Sequence, residues 1–218
     1  MNTMLTILFT IFIFTTFIIL NGRLLKGWYG EFLVRLMLRD LPKNEYTVIN
    51  NITIQTENGT TQIDHIVASK YGLFVIETKN MKGWIYGTEY QHHWKQKIFR
   101  NNYMFQNPLH QNYKHTKTLE NVLNLTSNQL KSVVIFVGDS RLMTKHPSHV
   151  VDSKSSLLKH IKSFNEVVIE RTLLHELVNE IKTKRLKPGW KTNLSHNKHV
   201  KELVKQKQSR RNGKGYAE

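Results

Sequence analysis

The residues best suited to chemistry stand where a predicted buried strand turns polar. The apolar run at residues 73–76 is followed by Glu77, Thr78 and Lys79. Because side chains alternate between the two faces of a strand, Glu77 and Lys79 share one face. The strand before this run carries Asp64 between apolar neighbours. Two carboxylates and an ammonium group on adjacent strands predict a site for hydrolysis of phosphodiesters.

An antiparallel hairpin would place the two acids opposite each other. If Ser69 lies opposite Gly72, then Asp64 lies opposite Glu77, with Cβ atoms roughly 5 Å apart. Carboxylates in a covered sheet repel each other unless a shared proton, the nearby Lys79 or a metal ion relieves the repulsion. Mg²⁺ and Mn²⁺ prefer such oxygen ligands, and either ion would activate a water molecule. A salt-bridge cluster at a strand end is the alternative interpretation.

Histidine and tryptophan offer no equally specific motif. The chain has 11 His residues but no His-Glu-x-x-His pair. His110 and His115 are five residues apart on a predicted helix, which is a poor spacing for metal ligands. His65 is expected to point to the other sheet face from the acid before it, in a structural role. Trp84 and Trp94 are able to stack on bases, but core positions are expected for both.

Periodicity places the candidate residues in an α/β fold, a mixed sheet flanked by helices. The run at residues 73–76 is apolar on both faces, which is typical of a central strand covered on both sides. Further strands are predicted at residues 46–55, 61–68 and 133–137, with weaker candidates at 84–86, 92–98 and 150–151. Helical spacing predicts helices at residues 24–41, 108–125, 155–164 and 170–185.

The first 22 residues contain no charged side chain. Within residues 4–20, 13 of 17 side chains are strongly apolar and the other four are Thr. A helix of this length matches a bilayer core of about 30 Å. A secretory signal peptide is not favoured, because no basic residue precedes the apolar run and no small-residue cleavage site follows it. A buried core helix is not favoured either, because it would show a polar stripe and this segment has none. We therefore predict one transmembrane anchor, with the rest of the chain on the cytoplasmic side because basic residues follow it.

Composition bounds the remaining possibilities. The 218-residue chain has no Cys, which excludes a disulfide scaffold and a thiol nucleophile. Its formal charge is +16, of which +10 lies in residues 182–218. This charge predicts an anionic partner. The basic tail, residues 186–218, is expected to be disordered and to bind nucleic acid or anionic lipid.

The candidate site lies within a longer resemblance. The chain resembles the nuclease-related domain (NERD) family of the PD-(D/E)xK nuclease superfamily over about residues 27–125. The proline that usually precedes the first acid is replaced by Ile63. The matching stretches are Gly30-Glu31, residues 61–67, residues 72–80, residues 82–85, Gly87, residues 94–96 and residues 107–111.

The resemblance implies a restriction-endonuclease-like core and assigns roles to its polar residues. Asp64 and Glu77 match the family's metal-binding acids, and Lys79 matches its catalytic lysine. Glu31 matches an additional acid that supports the metal. Gln111 matches a polar position that opens the helix after the site. These five residues are the candidate catalytic set, and the three acids are the candidate ligands of Mg²⁺ or Mn²⁺.

The sequence thus predicts three parts: an anchor at residues 1–22, a nuclease-like domain at 23–185 and the tail at 186–218. The leading hypothesis is a single-pass protein of the plasma membrane whose cytoplasmic domain hydrolyses DNA or RNA with Mg²⁺. The alternative is a non-catalytic module on the inner membrane face that binds nucleic acid or anionic lipid. The alternative predicts salt-sensitive binding without turnover.

Overall fold

A mixed five-stranded sheet between two layers of helices carries the candidate residues. The computed structural model describes residues 2–56 and 59–186, without the side chains of Asn2, Phe14, residues 17–20 and Arg23. In chain order the elements are α1 (Asn2–Leu38), β1 (Thr47–Thr56), β2 (Gly59–Ser69), β3 (Gly72–Asn80), β4 (Gly83–Tyr86), β5 (His93–Ile98), β6 (Asn101–Gln106), α2 (Pro108–Val122), a 3-10 turn (Ser127–Gln129), β7 (Leu130–Val137), β8 (Ser140–Leu142), β9 (Val150–Val151), α3 (Lys154–Lys162) and α4 (Arg171–Lys184).

The strand order of the large sheet is β1-β2-β3-β7-β9. Strands β1, β2 and β3 form an antiparallel meander, while β7 runs parallel to both β3 and β9. The parallel pairing of β3 with β7 needs a long crossover, which strands β4, β5 and β6 and helix α2 provide. The prediction of a mixed sheet flanked by helices is therefore confirmed.

Both faces of the central strand are covered. On one face, residues of β3 pack with Leu119 of α2 and Ile181 of α4. On the other face, they pack with Val34 of α1 and Ile161 of α3. This two-sided burial explains why residues 73–76 form a continuous apolar run, since both directions of the side-chain alternation meet a core.

A second, smaller sheet has the order β6-β5-β4-β8. Its inner face contributes Ile85 and Trp94 to a third apolar cluster with Phe136 of β7. The sequence predicts β4 and β5, but neither β6 nor β8 has an alternation of apolar residues that would identify it. Nearly all of β6 is exposed, so burial gives its sequence little pattern.

The N-terminal segment and the predicted helix at residues 24–41 form one continuous helix, α1. Its second half packs on the sheet through Val34 and Leu38, which are buried. Over the residues that the structure describes, none of the helices is both long and apolar enough to cross a bilayer. The transmembrane anchor predicted at residues 1–22 is therefore not supported. Apart from Leu186, the predicted basic tail lies outside the described residues.

Candidate active site

The candidate acids lie at the open end of the β2–β3 hairpin. The ladder begins at the pair Ser69–Gly72, as predicted, and its last pair is His65–Ile76. Asp64 and Glu77 would form the next pair, but the ladder stops before them. Beyond this point β2 pairs only with β1, and β3 pairs only with β7. The predicted register is thus correct, yet the two acids are not a ladder pair.

Asp64 is instead bonded to the backbone of the neighbouring strand. Its Oδ2 accepts a hydrogen bond of 2.8 Å from the backbone N–H of Thr78. This contact is diagonal across the hairpin, one residue beyond the position that the register assigns. It holds the carboxylate at the point where β2 and β3 part.

Strand β1 is irregular opposite Asp64. The β1–β2 ladder continues on either side of the pair Asn51–Asp64 but omits that pair. Asn51 has a φ of 55°, in the left-handed region that Asn tolerates better than most residues. As a result Asp64 and His65, which regular alternation would place on opposite faces, line the same cavity. The expectation that His65 points away from Asp64 is therefore wrong.

This cavity has a volume of about 50 Å³ and lies between α1 and strands β1 and β2. Its polar lining includes Glu31 and Arg35 of α1, Asn50 of β1, and Asp64 and His65 of β2. A water molecule needs roughly 10–15 Å³ of such volume, so a few fit. Two of the three predicted acids, Glu31 and Asp64, thus share one polar cavity.

Gly30 allows α1 to approach the site closely. A methyl group at Gly30 would lie 2.6 Å from Cβ of Asn80, which is too near for any side chain. The Asn80 side chain also donates a hydrogen bond of 2.7 Å to the carbonyl of Lys26, one turn earlier on the helix. The close contact of α1 with the end of β3 brings the adjacent Glu31 to the cavity.

Glu77 is buried and is held from two sides. Nζ of Lys79 lies 2.7 Å from Oε1 of Glu77 and 2.8 Å from Oε1 of Gln111. Nε2 of His115 lies 3.4 Å from Oε2 of the same carboxylate. The structure therefore brings Glu77, Lys79 and Gln111 together, and adds His115, for which the sequence predicts no ligand role.

One face of α2 contacts the polar end of β3. Gln111 and His115 are four residues apart, so they lie on the same side of the helix. Asn112 fixes the helix on the sheet by donating hydrogen bonds to the carbonyls of Val75 (2.8 Å) and Val133 (3.0 Å). The four-residue spacing between Gln111 and His115 is the sequence signal from which His115 could have been predicted as a site residue.

A hydrogen bond with Thr61 orients the His115 ring. Its Nδ1 lies 2.7 Å from the hydroxyl of Thr61 on β2. With the proton on Nε2, that N–H faces the Glu77 carboxylate at 3.4 Å as an electrostatic contact rather than a hydrogen bond, while Nδ1 accepts from the Thr61 hydroxyl. The opposite tautomer would turn a lone pair toward the carboxylate, so the contacts favour protonation at Nε2.

Burial, together with charge repulsion among the acids, sets the electrostatics of the site. Burial, followed by the charges of Glu77 and Glu31, raises the pKa of Asp64 well above its usual range. Burial and the charge of Glu77 raise the pKa of Glu31 to about 7. Burial would also raise the pKa of Glu77, but Lys79 and His115 together hold it below its usual value. The site thus has one firmly ionised acid beside two that resist ionisation.

His65 is neutral at physiological pH, because burial and the charge of Arg35 lower its pKa to about 4. Its Nδ1 lies 2.8 Å from the side-chain oxygen of Asn50, which can only accept, so Nδ1 carries the proton. Nε2 therefore presents a lone pair. This buried atom has no hydrogen-bond partner among the described residues.

The donor set suits a hard divalent cation. Among the described residues, no three His, Asp or Glu side chains are gathered closely enough to hold a metal ion. The oxygen donors of Glu31, Asp64 and Glu77 are nevertheless of the type that Mg²⁺ and Mn²⁺ prefer. A cation would also relieve the repulsion that raises the pKa values of Glu31 and Asp64. The residues therefore fit the metal by their chemistry, and binding requires the carboxylates to converge.

Comparison with known proteins places the site within a family match. The sequence profile of the nuclease-related domain (NERD) matches residues 26–137, just over half of the chain. Over 96 residues the chain is 56% identical to an uncharacterized protein of Bacillus anthracis. That alignment covers 44% of this chain and 45% of the relative, so the chain spans a little under half of the relative's length. No solved structure matches the chain.

Proposed function

Because this chain belongs to the nuclease-related domain (NERD) family, we propose that its nuclease-like module hydrolyses phosphodiester bonds of DNA or RNA with Mg²⁺ or Mn²⁺. We further propose that the sheet from β1 to β7 is a restriction-endonuclease-like core. One observation carries the proposal: three carboxylates and one lysine are placed where β2 and β3 part. Buried like charges are unfavourable unless a proton, a basic partner or a bound cation compensates them, and a cation would compensate all three acids together.

The acids divide the work according to their environments. Glu77 is held ionised by Lys79 and is therefore ready to bind a cation at neutral pH. Asp64 and Glu31 hold their protons more tightly in the free protein and would release them when a cation binds. Metal binding should thus release protons, as it does at other sites whose ligands must ionise.

Lys79 is the group placed to act on the substrate. Its ammonium spans Glu77 and Gln111 at 2.7 and 2.8 Å, so both side chains fix its position. From there it can orient the attacking water or neutralise charge that develops on the phosphate. A bound divalent ion would supply Lewis-acid activation of the phosphoryl oxygen and of that water.

The test uses the full chain with labelled DNA and RNA strands. Cleavage is expected in Mg²⁺ and is expected to be lost in EDTA. Asp64→Asn and Glu77→Gln should each lower the rate by about 100-fold or more. Asp152→Asn, which changes an exposed acid, should retain full activity. Unchanged cleavage in either site variant would overturn the assignment.

A non-catalytic nucleic-acid-binding module is the second candidate. It is favoured by the contacts of Glu77, whose two oxygens already face Lys79 and His115. Here the charges would only stabilise the fold. Calorimetric titration of Mn²⁺ into the full chain separates the two functions, since the nuclease binds the ion and releases protons. Salt-sensitive binding of nucleic acid with no heat from Mn²⁺ and no turnover would support the second function.

A further inference from the structure

The outer face of the small sheet presents aromatic and basic side chains to solvent. Trp84 and Tyr86 alternate with the buried Ile85 on β4, so both point away from the core. Lys97 lies opposite Trp84 across β5, and Lys95 lies opposite Tyr86. Arg141 flanks Trp84 on β8.

Trp84 is 45% exposed, whereas Trp94 on the inner face is 1% exposed. The expectation that both tryptophans are core residues is therefore right only for Trp94.

The charge of this surface has one sign. The described strands β4, β5, β6 and β8 contain no Asp or Glu. Lys95, Lys97 and Arg141 therefore have no acidic partner within the sheet. A basic surface of this kind attracts a polyanion, and its aromatic rings offer flat apolar faces in addition.

The spacing of the rings suits successive bases of an unpaired strand. Trp84 and Tyr86 are two residues apart on one strand, which separates them by roughly 7 Å. Bases inside a duplex are stacked on each other, so their faces are not available to these rings. An unpaired strand can lay its bases on the rings while its phosphates meet the neighbouring lysines.

The lysines already contact the aromatic rings in the free protein. These intramolecular cation–π contacts are the structural explanation for the alternation of lysines and aromatic residues. Nζ of Lys97 lies 5.5 Å from the ring centre of Trp84, and Nζ of Lys95 lies 4.9 Å from that of Tyr86. An exposed contact of this kind is weak, whereas stacking of a base on an aromatic ring is stronger. A base can therefore displace the ammonium, which then becomes free to pair with phosphate.

We propose that this face, formed by Trp84, Tyr86, Lys95, Lys97 and Arg141, binds single-stranded nucleic acid. The inference rests on the proposed function, for which it names the form of the substrate. Along the chain this face begins close to the site, because Gly83, the first residue of β4, is four residues after Lys79 of β3.

The binding test uses the full chain in EDTA, so that it does not depend on cleavage. Binding of a fluorescent oligothymidine strand is compared with binding of a duplex by anisotropy. Trp84→Ala and Lys97→Ala should each weaken single-strand binding by about five- to tenfold. Trp84→Phe should retain most of the affinity, because it keeps an aromatic face. Lys95→Ala provides a second surface variant if Lys97→Ala fails to fold.

Lys70→Ala is the matched control. Lys70 also places its ammonium over an aromatic ring, 5.1 Å from the ring centre of Tyr71, but at the closed end of the β2–β3 hairpin. The Lys70→Ala variant removes the same charge as Lys97→Ala and should leave binding of the single strand unchanged. Equal losses in Lys70→Ala and Lys97→Ala, or full competition by inorganic polyphosphate at equal charge, would show plain charge attraction and overturn the proposal.

The two proposals fail separately. Cleavage in Mg²⁺ with unchanged binding by Trp84→Ala would overturn the role of this face and leave the nuclease function standing. Binding that depends on Trp84 in a protein that never cleaves would overturn the nuclease function and support the face. Equal effects of Trp84→Ala on single strand and duplex would contradict the preference for unpaired strands.

Discussion

Nε2 of His115 lies 3.4 Å from Oε2 of Glu77, whereas Lys79 contacts the other carboxylate oxygen, Oε1. Glu77 is therefore clamped between a strand residue and a helix residue. The imidazole is itself oriented by Thr61 of β2. Three elements, β2, β3 and α2, thus set the position of one buried carboxylate.

His115 is predicted to be a positioning residue for Glu77. His115→Ala should weaken Mn²⁺ binding by about tenfold, because partners of metal ligands typically contribute at this level. His115→Gln, which retains a donor, should recover part of that affinity. Calorimetry with Mn²⁺ measures the effect without reference to cleavage. His110→Ala, on the same helix but bonded to the carbonyl of Glu89, should bind Mn²⁺ normally; equal affinity in His115→Ala would refute the role.

Gly30 is predicted to be required for the approach of α1. Gly30→Ala places a methyl group 2.6 Å from Cβ of Asn80, so the helix must shift and move Glu31 with it. We expect lower stability by about 1–3 kcal/mol and weaker Mn²⁺ binding. Gly27→Ala, whose methyl group meets nothing within 4 Å on the same helix, should be neutral or stabilising. Similar urea midpoints for the two variants would contradict the prediction.

Glu31 is predicted to make the metal-free protein less stable as pH rises. The folded pKa of about 7 lies above the model-peptide value of 4.5, so the folded state retains a proton that the unfolded state has lost. The contribution of Glu31 to stability should therefore fall between pH 4.5 and about 7 and level off above that. At the upper plateau Glu31→Gln should be more stable than the wild type by about 1–2 kcal/mol, allowing for partial exposure.

This pH dependence is measured by urea unfolding in EDTA. Below pH 4.5 the Glu31→Gln variant and the wild type should have the same stability apart from a constant offset. Glu166→Gln, at an exposed position, should follow the wild-type curve throughout. A stability difference between Glu31→Gln and the wild type that does not grow with pH would count against the assigned shift. Added Mg²⁺ should reduce the difference above pH 7.

Asn112 is predicted to fasten α2 to the sheet. Asn112→Ala removes hydrogen bonds to the carbonyls of Val75 and Val133 and to the hydroxyl of Ser132. The expected loss is about 1–3 kcal/mol in urea unfolding. Asn112→Asp should cost more, because it turns a buried charge toward the two carbonyl oxygens. Thr118→Ala, which loses one exposed bond on the same helix, should change stability little; a loss as large as that of Asn112→Ala would contradict the prediction.

Features that depend on neighbours along the chain could be predicted from the amino-acid sequence alone. The continuous apolar run at residues 73–76 identified the central strand, because both faces of that strand are covered. The turn between Ser69 and Gly72 determined the hairpin register, because a short turn fixes which residues face each other. The acids, Lys79 and the family followed from the order of short motifs. The metal, the cleavage activity and the cellular location stay predictions.

The contacts among those residues became known from the three-dimensional fold. The hydrogen bond from the Thr78 backbone to Asp64 depends on the point at which β2 and β3 separate. The contact of Glu77 with His115 depends on the position of α2 against the sheet. The shared cavity of Glu31 and Asp64 depends on the irregularity at Asn51 and on the approach of α1 at Gly30. The second sheet was partly invisible because exposed strands carry no apolar alternation. Local spacing specifies faces and registers, whereas contacts between distant elements arise from packing, which no single segment encodes.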